Sequence, residues 1–195
     1  MNKTLIAALI AAPIATTAVA APTAYTLDPS HSQAVFTYNH LGFSTTTGMY
    51  SGFEGEILFD AEEPANSTVN VTFPAESMIT GWDARSAHFL ESGDFFNLSE
   101  YPDVTFTSTG IEVTGENTAN ITGDFTLNGV TKEVVLETTL NQQTDSYPIP
   151  PFEGKAAIGL SATTTLIRSD YNLGAFTPFI ADEIPVMISI EAMAE

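Results

Sequence analysis

The chain has 195 residues, with 24 Asp and Glu against 5 Lys and Arg, which gives a formal net charge of -19 at pH 7. Such a charge repels phosphate backbones, so nucleic acid is excluded as a partner, and the absence of Cys excludes a disulfide framework, a zinc ribbon and a thiol nucleophile. The hydrophobic fraction of 44% is sufficient for the core of one folded domain.

The first twenty residues have the three parts of a secretory signal. Lys3 provides a positive start, and residues 5–14 form an apolar run that is too short to span a bilayer. The small residues Ala-Val-Ala at 18–20 are those that a signal peptidase requires. We therefore predict a signal peptide over residues 1–20.

The mature protein is then expected to begin at Ala21, to be exported to the periplasm and to form a single domain over residues 21–195. Removal of Lys3 with every acid retained takes the formal charge to -20. No later apolar run approaches the length that a membrane span requires, so we expect no stable membrane span.

Most of the remaining chain alternates apolar and polar residues with a period of two. In the first such run, Phe36 and Tyr38 share one parity, whereas Thr37 and Asn39 share the other. This period is typical of β-strands with one buried and one solvated face. Eight runs of this kind occur, at residues 34–40, 53–60, 69–73, 104–109, 121–128, 134–141, 156–166 and 186–191.

One solvent-exposed face per strand favours an antiparallel sheet, since parallel strands covered by helices would be apolar on both faces. Asn128-Gly129, between the fifth and sixth runs, is the dipeptide that type I′ turns prefer, because both central residues take positive φ. We therefore predict an all-β fold with a hairpin at this turn. Eight antiparallel strands either close into a barrel, which removes exposed edges, or form two packed sheets, and the barrel is the preferred interpretation.

One segment, between the third and fourth runs, breaks the period of two. Its apolar residues have helical spacing, with Asp83 near the start and Gly93 at the position that ends a helix. We predict one short helix here. Arg85, His88 and Phe89 stand at i, i+3 and i+4, so they share one helix face.

The sequence contains no strong catalytic signature. His31, His40 and His88 are far apart along the chain, and there is no Gly-x-Ser-x-Gly, His-Glu-x-x-His or phosphate-binding glycine loop. We therefore predict no catalytic residue, no metal and no cofactor. Ser30 beside His31 resembles part of a catalytic triad, but the preceding Asp28-Pro29 favours a turn. His40 shares the apolar parity of its strand, which is compatible with a metal ligand, but a hydrogen-bonded histidine of the core or rim is the preferred interpretation.

Several stretches together resemble the polyisoprenoid-binding, YceI-like family. They cover nearly the whole chain after the signal, in the order that the family has them. The matching pieces are YTLDPSHS at 25–32, VFTYNH at 35–40, GFEG at 52–55, RSAHFL at 85–90, DFF at 94–96, YPDVTF at 101–106, GDFTLNGVTK at 123–132 and RSDY at 168–171. The chain departs from the family pattern at Ser86 and Phe89, where Asp and Leu are common, and at Tyr171, where Phe is usual.

The resemblance implies a lipocalin-like eight-stranded antiparallel β-barrel with one short helix near one end, which binds a long isoprenoid such as a polyprenyl phosphate or a quinone. Strands of about ten residues would give a lumen on the order of 30 Å long. The residues expected to line the lumen are Phe36, Tyr38, Ile57, Phe59, Val71, Phe73, Phe106, Phe125, Leu136, Ile158 and Leu160. The polar side chains expected to meet the headgroup are His40, Arg85, His88 and Arg168.

Two other functions are compatible with the residues alone. A hydrolase of envelope lipids or glycans would require two close carboxylates in the lumen, or His31 within reach of an acid and a serine. A structural envelope protein would have a lumen filled by its own side chains. The sequence leaves the oligomeric state open, with a homodimer as one outcome.

Overall fold

The computed structural model describes residues 21–195, so the predicted signal peptide lies outside the described residues. The described chain has ten strands, one α-helix and three single turns of 3-10 helix. The strands are β1 Thr23–Leu27, β2 Gln33–His40, β3 Ser44–Tyr50, β4 Glu54–Phe59, β5 Thr68–Pro74, β6 Asp103–Val113, β7 Thr118–Leu127, β8 Val130–Thr144, β9 Ala157–Ile167 and β10 Glu183–Ala194. The helix is α1 Asp83–Glu91, and the 3-10 turns are Pro64–Asn66, Ala75–Ser77 and Arg168–Tyr171.

All strand pairings between these elements are antiparallel, and the sheet closes on itself because β1 pairs with both β4 and β10. The closed ring consists of β1 and β4 to β10, which makes eight strands. The hairpin of β2 and β3 extends from β10. The last residues of β10 pair with β1, and an earlier stretch of β10 pairs with β2. The predicted eight-stranded antiparallel barrel is confirmed, and the alternative of two packed sheets is wrong.

The eight strands of the ring are not the eight that the alternation predicts. β1 and β3 carry no alternating run in the prediction, and β2, which does, lies in the flanking hairpin. β1 is five residues long, and its apolar residues Ala24 and Tyr25 are adjacent, so no strict alternation marks it. β3 reads Ser-Thr-Thr-Thr-Gly-Met-Tyr and has no apolar side chain in its first half, because that half is largely exposed.

The hairpin at Asn128-Gly129 is confirmed. Leu127 pairs with Val130, and the two turn residues have φ of 48° and 77°. Both values lie in the left-handed region that a type I′ turn requires, and Asn followed by Gly is the pair that adopts it at the least steric cost. The end of β7 pairs with the start of β6, which follows the helix in the chain, so this turn joins β7 to β8 at the same end of the barrel as the helix.

The single helix is also confirmed, with Asp83 as its first residue. Ser92 closes its last turn, and Gly93 follows with φ of 79°, the left-handed conformation that ends many helices. Because α1 lies between β5 and β6, it covers the end of the barrel at which β5 ends, and we call this the helix end. No helix among residues 21–195 is long and apolar enough to cross a membrane.

The opposite end of the barrel is filled by its own side chains. Leu27 on β1 and Ile158 on β9 both face Ala192 on β10 across neighbouring strands, and all three are buried. Beside them the rings of Tyr25 and Phe59 pack edge to face, with 6.4 Å between their centroids. These contacts leave no open lumen at this end, which we call the closed end.

Candidate functional site

A cavity of about 210 Å³ lies inside the barrel, between the closed end and the helix. Along β10 its wall is formed by every second residue, namely Ile184, Val186, Ile188 and Ile190. Six residue steps of a strand span about 20 Å, so the cavity is long relative to its volume. Its lining is almost entirely apolar, and its shape therefore suits a slender hydrocarbon chain.

Nine of the eleven side chains predicted to face the lumen line this cavity, although ligand binding by them stays a prediction. The nine are Phe36, Tyr38, Ile57, Val71, Phe73, Phe106, Phe125, Leu136 and Leu160.

The other two, Phe59 and Ile158, point inward but do not line the cavity. Their placement there was wrong, because both belong to the packed side chains of the closed end. Phe59 contacts Tyr25, and Ile158 is 2% exposed beside Ala192. Alternation identifies the inward face of a strand but not the depth at which the barrel becomes solid. The same packing makes the cavity shorter than the expected lumen of roughly 30 Å.

Aromatic rings form much of the wall towards the helix end. Phe89 on α1 packs edge to face against both Phe95 and Tyr38, with centroid separations of 4.9 and 6.0 Å. The ring of Phe73 stacks on that of Phe53 with 4.4 Å between the centroids, and its centroid lies 5.3 Å from that of Tyr50. Such rings provide large apolar area with few rotatable bonds.

Three tyrosines, Tyr38, Tyr50 and Tyr171, line the cavity, and their hydroxyls make no hydrogen bond with any other described residue. Burial raises the pKa of Tyr50 above its ordinary value. Burial, with a smaller contribution from Asp170, raises the pKa of Tyr171 to about 12. The hydroxyls of Tyr50 and Tyr171 are therefore neutral groups at physiological pH that can donate or accept a hydrogen bond.

Sequence reasoning missed Tyr50 and Tyr171 as candidate site residues. Tyr50 ends the strand β3, which the alternation did not reveal, and Tyr171 lies in a 3-10 turn rather than in a strand. A usable signal existed for Tyr171, because it ends the Arg-Ser-Asp-Tyr piece that resembles the family.

Arg168 lies in the cavity wall at the helix end, where it is 8% exposed. Its Nε donates to the carbonyl of Ala181, Nη1 to those of Leu173 and Ala175, and Nη2 to that of Ile180. Burial lowers its pKa, and the charge of nearby Asp182 opposes that effect.

These four bonds give Arg168 a structural role, and its contact with a headgroup stays a prediction. A buried guanidinium must have its donors satisfied, and here backbone carbonyls of residues 173–181 bind four of its five N–H groups, which leaves one N–H of Nη2 without a bond to a described residue. Arg168 therefore fixes the connection between β9 and β10.

The other three polar residues of the predicted headgroup site, His40, Arg85 and His88, do not line the cavity. Arg85 donates from Nη2 to the carbonyl of Thr80 over 2.5 Å, and its guanidinium lies 6.0 Å from the centre of the Trp82 ring.

His40 and His88 are exposed at the helix end. The Nε2 atom of His88 lies 3.3 Å from Oδ2 of Asp94, and its ring lies 6.5 Å from that of Phe176. The four residues are thus not brought together in one headgroup site, and ligand contact by His40, Arg85 and His88 stays a prediction.

A second polar cluster lies on the outside of the barrel, where β1 leads into β2. Oδ2 of Asp28 lies 2.7 Å from Nδ1 of His31, and Oγ of Ser30 lies 3.1 Å from that same nitrogen. In a catalytic triad the acid and the nucleophile bind opposite nitrogens of the imidazole, so no proton relay exists here. Ser30 also donates to Asp28 through its hydroxyl and its backbone N–H, which is the pattern of a turn.

Burial, hydrogen bonds and nearby charge in this cluster shift the pKa values of Asp28 and His31. Burial raises the pKa of Asp28, but hydrogen bonds from Ser30 and His31 outweigh burial and leave that pKa below its ordinary value. The bond to Asp28 and the charge of Glu191 raise the pKa of His31. Ligand atoms of Asp28, His31 and Glu191 lie within 4.8 Å of one another, which is a spacing that a metal ion accepts, although hydrogen bonds within the turn already use the first two.

Comparison with known proteins decides the family. The YceI-like domain matches residues 25–192, which is almost the whole described chain. The chain belongs to the YceI-like family. The protein YceI of Escherichia coli O157:H7 is 36% identical to this YceI-like chain over 197 residues, and that of Salmonella arizonae is 34% identical, each alignment covering 100% of both proteins.

Solved structures share the fold of this YceI-like chain. The YceI protein of Campylobacter jejuni has a TM-score of 0.68 and 28% identity, with 80% of this chain and 90% of that protein covered. BcnA of Burkholderia cenocepacia has a TM-score of 0.72 and 22% identity, with 85% and 98% covered. A polyisoprenoid binding domain of Saccharophagus degradans, implicated in plant cell wall breakdown, has a TM-score of 0.65 and 16% identity, with 89% and 99% covered.

Proposed function

We propose that the protein is exported to the periplasm, where it binds or shuttles a long isoprenoid lipid with an uncharged headgroup, such as a quinone, inside the barrel cavity. One observation carries this proposal. The cavity is long and apolar, and Arg168, the one Lys or Arg that residues 21–195 place in its wall, has four of its five N–H donors bound to backbone carbonyls.

The apolar lining provides the free energy for binding the tail. Each methylene moved from water into such a lining contributes about 0.8 kcal/mol, and the sum over the buried part of the tail must exceed the costs of association, which are about 4 to 15 kcal/mol. Membership of the YceI-like family and the fold shared with a polyisoprenoid binding domain support an isoprenoid as the ligand.

The polar groups of the cavity favour a neutral headgroup over a phosphate. A phosphate that leaves water requires cations or several free donors around it. The lining is instead almost entirely apolar, and the tyrosines among its residues, Tyr38, Tyr50 and Tyr171, carry uncharged hydroxyls. A hydroxyl can donate to the carbonyl oxygen of a quinone without any charge being desolvated.

A binding role without chemistry is supported by the composition of the same lining. It contains no Asp, Glu or His among the described residues, so no side chain of the usual general acid or base type faces the space that the ligand would occupy. The cluster at His31 lies outside the barrel and has no relay geometry. These observations favour a carrier over a hydrolase.

The first test is to purify the protein from its host without detergent and to analyse an organic extract by mass spectrometry. We expect a co-purifying isoprenoid, and a mature N-terminus at Ala21. The stripped protein should then bind an isoprenoid quinone better than a prenyl phosphate of the same tail length. An empty extract together with no binding of either compound would overturn the carrier proposal, and a preference for the phosphate would overturn the neutral headgroup.

A matched pair of variants tests the contribution of the cavity hydroxyl. Tyr50→Phe removes the hydroxyl of a residue that lines the cavity, whereas Tyr101→Phe removes one that bonds to Glu100 at the surface. One neutral hydrogen bond in a buried site is worth about 0.5–1.5 kcal/mol, so Tyr50→Phe should weaken quinone binding by about two- to tenfold and leave binding of a plain hydrocarbon tail unchanged. Tyr101→Phe should alter neither.

A further inference from the structure

Four large apolar side chains protrude from two adjacent loops at the helix end. Leu41 and Phe43, between β2 and β3, are 47% and 89% exposed, and Phe176 and Phe179, between β9 and β10, are 53% and 71% exposed. The backbone N–H of Leu41 donates to the carbonyl of Phe179 over 3.0 Å, which holds the two loops together. We call these four residues the apolar tip.

The backbone is strained where it presents this tip. Four non-glycine residues among those described have positive φ, and two of them are Asn, which tolerates that conformation. The other two are Leu41, with φ of 56°, and Phe176, with φ of 64°. A bulky residue in the left-handed region costs free energy, and such strain is concentrated at functional sites.

The tip is uncharged in a chain in which about one residue in eight is acidic. Residues 41–53 and 171–181 contain no Asp, Glu, Lys or Arg. The next acid along the chain, Asp182, accepts hydrogen bonds from the backbone N–H and the hydroxyl of Ser169, at 2.9 and 2.7 Å. Its carboxylate is therefore held at the base of the loop.

The tip is also continuous with the cavity. Phe176 lies 6.0 Å from the ring of Phe95, which lines the cavity. Phe179 is followed by Ile180, and Leu173 precedes the tip on the same loop; both line the cavity wall. The connection between β9 and β10 thus contains both apolar side chains that line the cavity and apolar side chains that are exposed to solvent.

We propose that the apolar tip docks on the surface of a lipid bilayer, so that the helix end of the barrel faces the membrane from which an isoprenoid enters. The inference rests on the proposed carrier function, because a bilayer is the phase in which a free isoprenoid resides. An uncharged apolar protrusion suits the boundary between headgroups and acyl chains, where charged side chains are costly.

The net charge of the protein determines the kind of bilayer. At a formal charge of -20 after loss of Lys3, an anionic surface repels the protein, so docking depends on insertion of the tip and not on electrostatic attraction. Binding should therefore be stronger to phosphatidylcholine vesicles than to vesicles rich in phosphatidylglycerol. Added salt should raise binding to the second kind, because it screens the repulsion.

The experiment measures co-sedimentation of the mature protein with phosphatidylcholine vesicles. Phe43→Ser/Phe179→Ser should lower the partition coefficient by about tenfold or more, since two phenyl groups no longer insert. Ile149→Ser is the matched control, because Ile149 is an exposed apolar residue in the loop between β8 and β9 at the closed end. This control should partition as the wild type does.

Insertion can also be followed directly, because Trp82 is the one tryptophan of the chain. In a Trp82→Phe/Phe179→Trp variant the fluorescence reports on the tip alone. Its emission should shift to shorter wavelength on addition of vesicles, and lipids brominated near the headgroup should quench it. No shift and no quenching would overturn docking.

Failure of docking and failure of the carrier function give different results. Wild-type protein that binds a short, soluble isoprenoid alcohol but does not sediment with vesicles would overturn docking alone. Protein that sediments through the tip but binds no isoprenoid would leave docking standing and remove the carrier function. A dimer that dissociates in the Phe43→Ser/Phe179→Ser variant would assign the tip to contact between two copies and overturn the membrane proposal.

Discussion

Oδ1 of Asn128 accepts a hydrogen bond from the backbone N–H of Asn97 over 2.9 Å, between residues 31 positions apart in the sequence. The amide nitrogen of Asn128 donates to the carbonyls of Phe95 and Tyr171, at 3.4 and 3.2 Å. The β7–β8 turn therefore holds two segments that line the cavity at the helix end. The backbone of Asn128 adopts the left-handed conformation of the turn, and its side chain binds the segments of the cavity wall.

We predict that Asn128→Gly, which keeps the left-handed backbone but removes these three bonds, lowers the free energy of unfolding by about 2–4 kcal/mol. Chemical denaturation measures the change. Asn172→Gly is the control, because Asn172 also has positive φ, of 61°, while its side chain bonds to no described residue. Equal effects of the two substitutions would contradict the role given to the Asn128 amide.

Arg168→Met should destabilise the protein by about 2–4 kcal/mol, since it leaves one buried and three partly buried hydrogen bonds to backbone carbonyls unmade. Hydrogen exchange should increase mainly in residues 168–182. Binding of prenyl phosphate and of plain hydrocarbon should weaken by the same factor, because four of the five N–H donors of the guanidinium already bind backbone carbonyls. A selective loss of phosphate binding would restore the headgroup role that the sequence predicted.

Ala162→Phe should block the cavity. Ala162 lies on the inward face of β9 and lines the space, whereas its neighbour Thr163 faces solvent. We expect Ala162→Phe to weaken isoprenoid binding at least about tenfold, because the ring occupies the volume of the tail. Thr163→Phe, on the outer face, should leave binding unchanged and stability within about 0.5 kcal/mol of the wild type. Unimpaired binding by Ala162→Phe would place the ligand outside the cavity.

The pair of Asp28 and His31 should make stability depend on pH. The hydrogen bond to Asp28, with the charge of Glu191, raises the pKa of His31 above its ordinary value of 6.5. A raised folded-state pKa means that the stabilisation is complete below the unfolded-state pKa and is lost as the pH rises through the folded-state pKa.

The melting temperatures of wild type and His31→Gln should therefore differ most at about pH 6 and converge as the pH rises above the His31 pKa. His40→Gln, at an exposed histidine far from this turn, is the control. Parallel curves for wild type and His31→Gln across this range would show that the pair does not contribute in the expected way.

Much of the fold could be predicted because its signals are local. Alternation with a period of two, the Asn128-Gly129 turn and the helix with Gly93 behind it each depend on a few neighbouring residues. β1 and β3 escaped prediction for the same reason. Their strand conformation comes from pairing with β10, β4 and β2, and not from a pattern of their own.

The candidate site was predictable only in part. Parity placed Phe36 and Phe73 on the inward face, because side-chain direction in a strand follows from position alone. It could not show that Phe59 lies where the barrel is solid. Whether an inward side chain packs or lines a space depends on the residues opposite it, which come from distant parts of the chain.

The sequence by itself determined the composition, the charge of -19, the inward and outward faces of most strands and the family resemblance, since all of these are properties of residues and their spacing. Only the tertiary structure decided what Arg168 does and where Tyr50 points. The carbonyls that satisfy Arg168 belong to a connection whose path is set by strand pairing, and Tyr50 reaches the lumen because β2 carries β3 beside it. Hydrogen bonds and cavities depend on distances between residues remote in sequence, and those distances exist only after the barrel has closed.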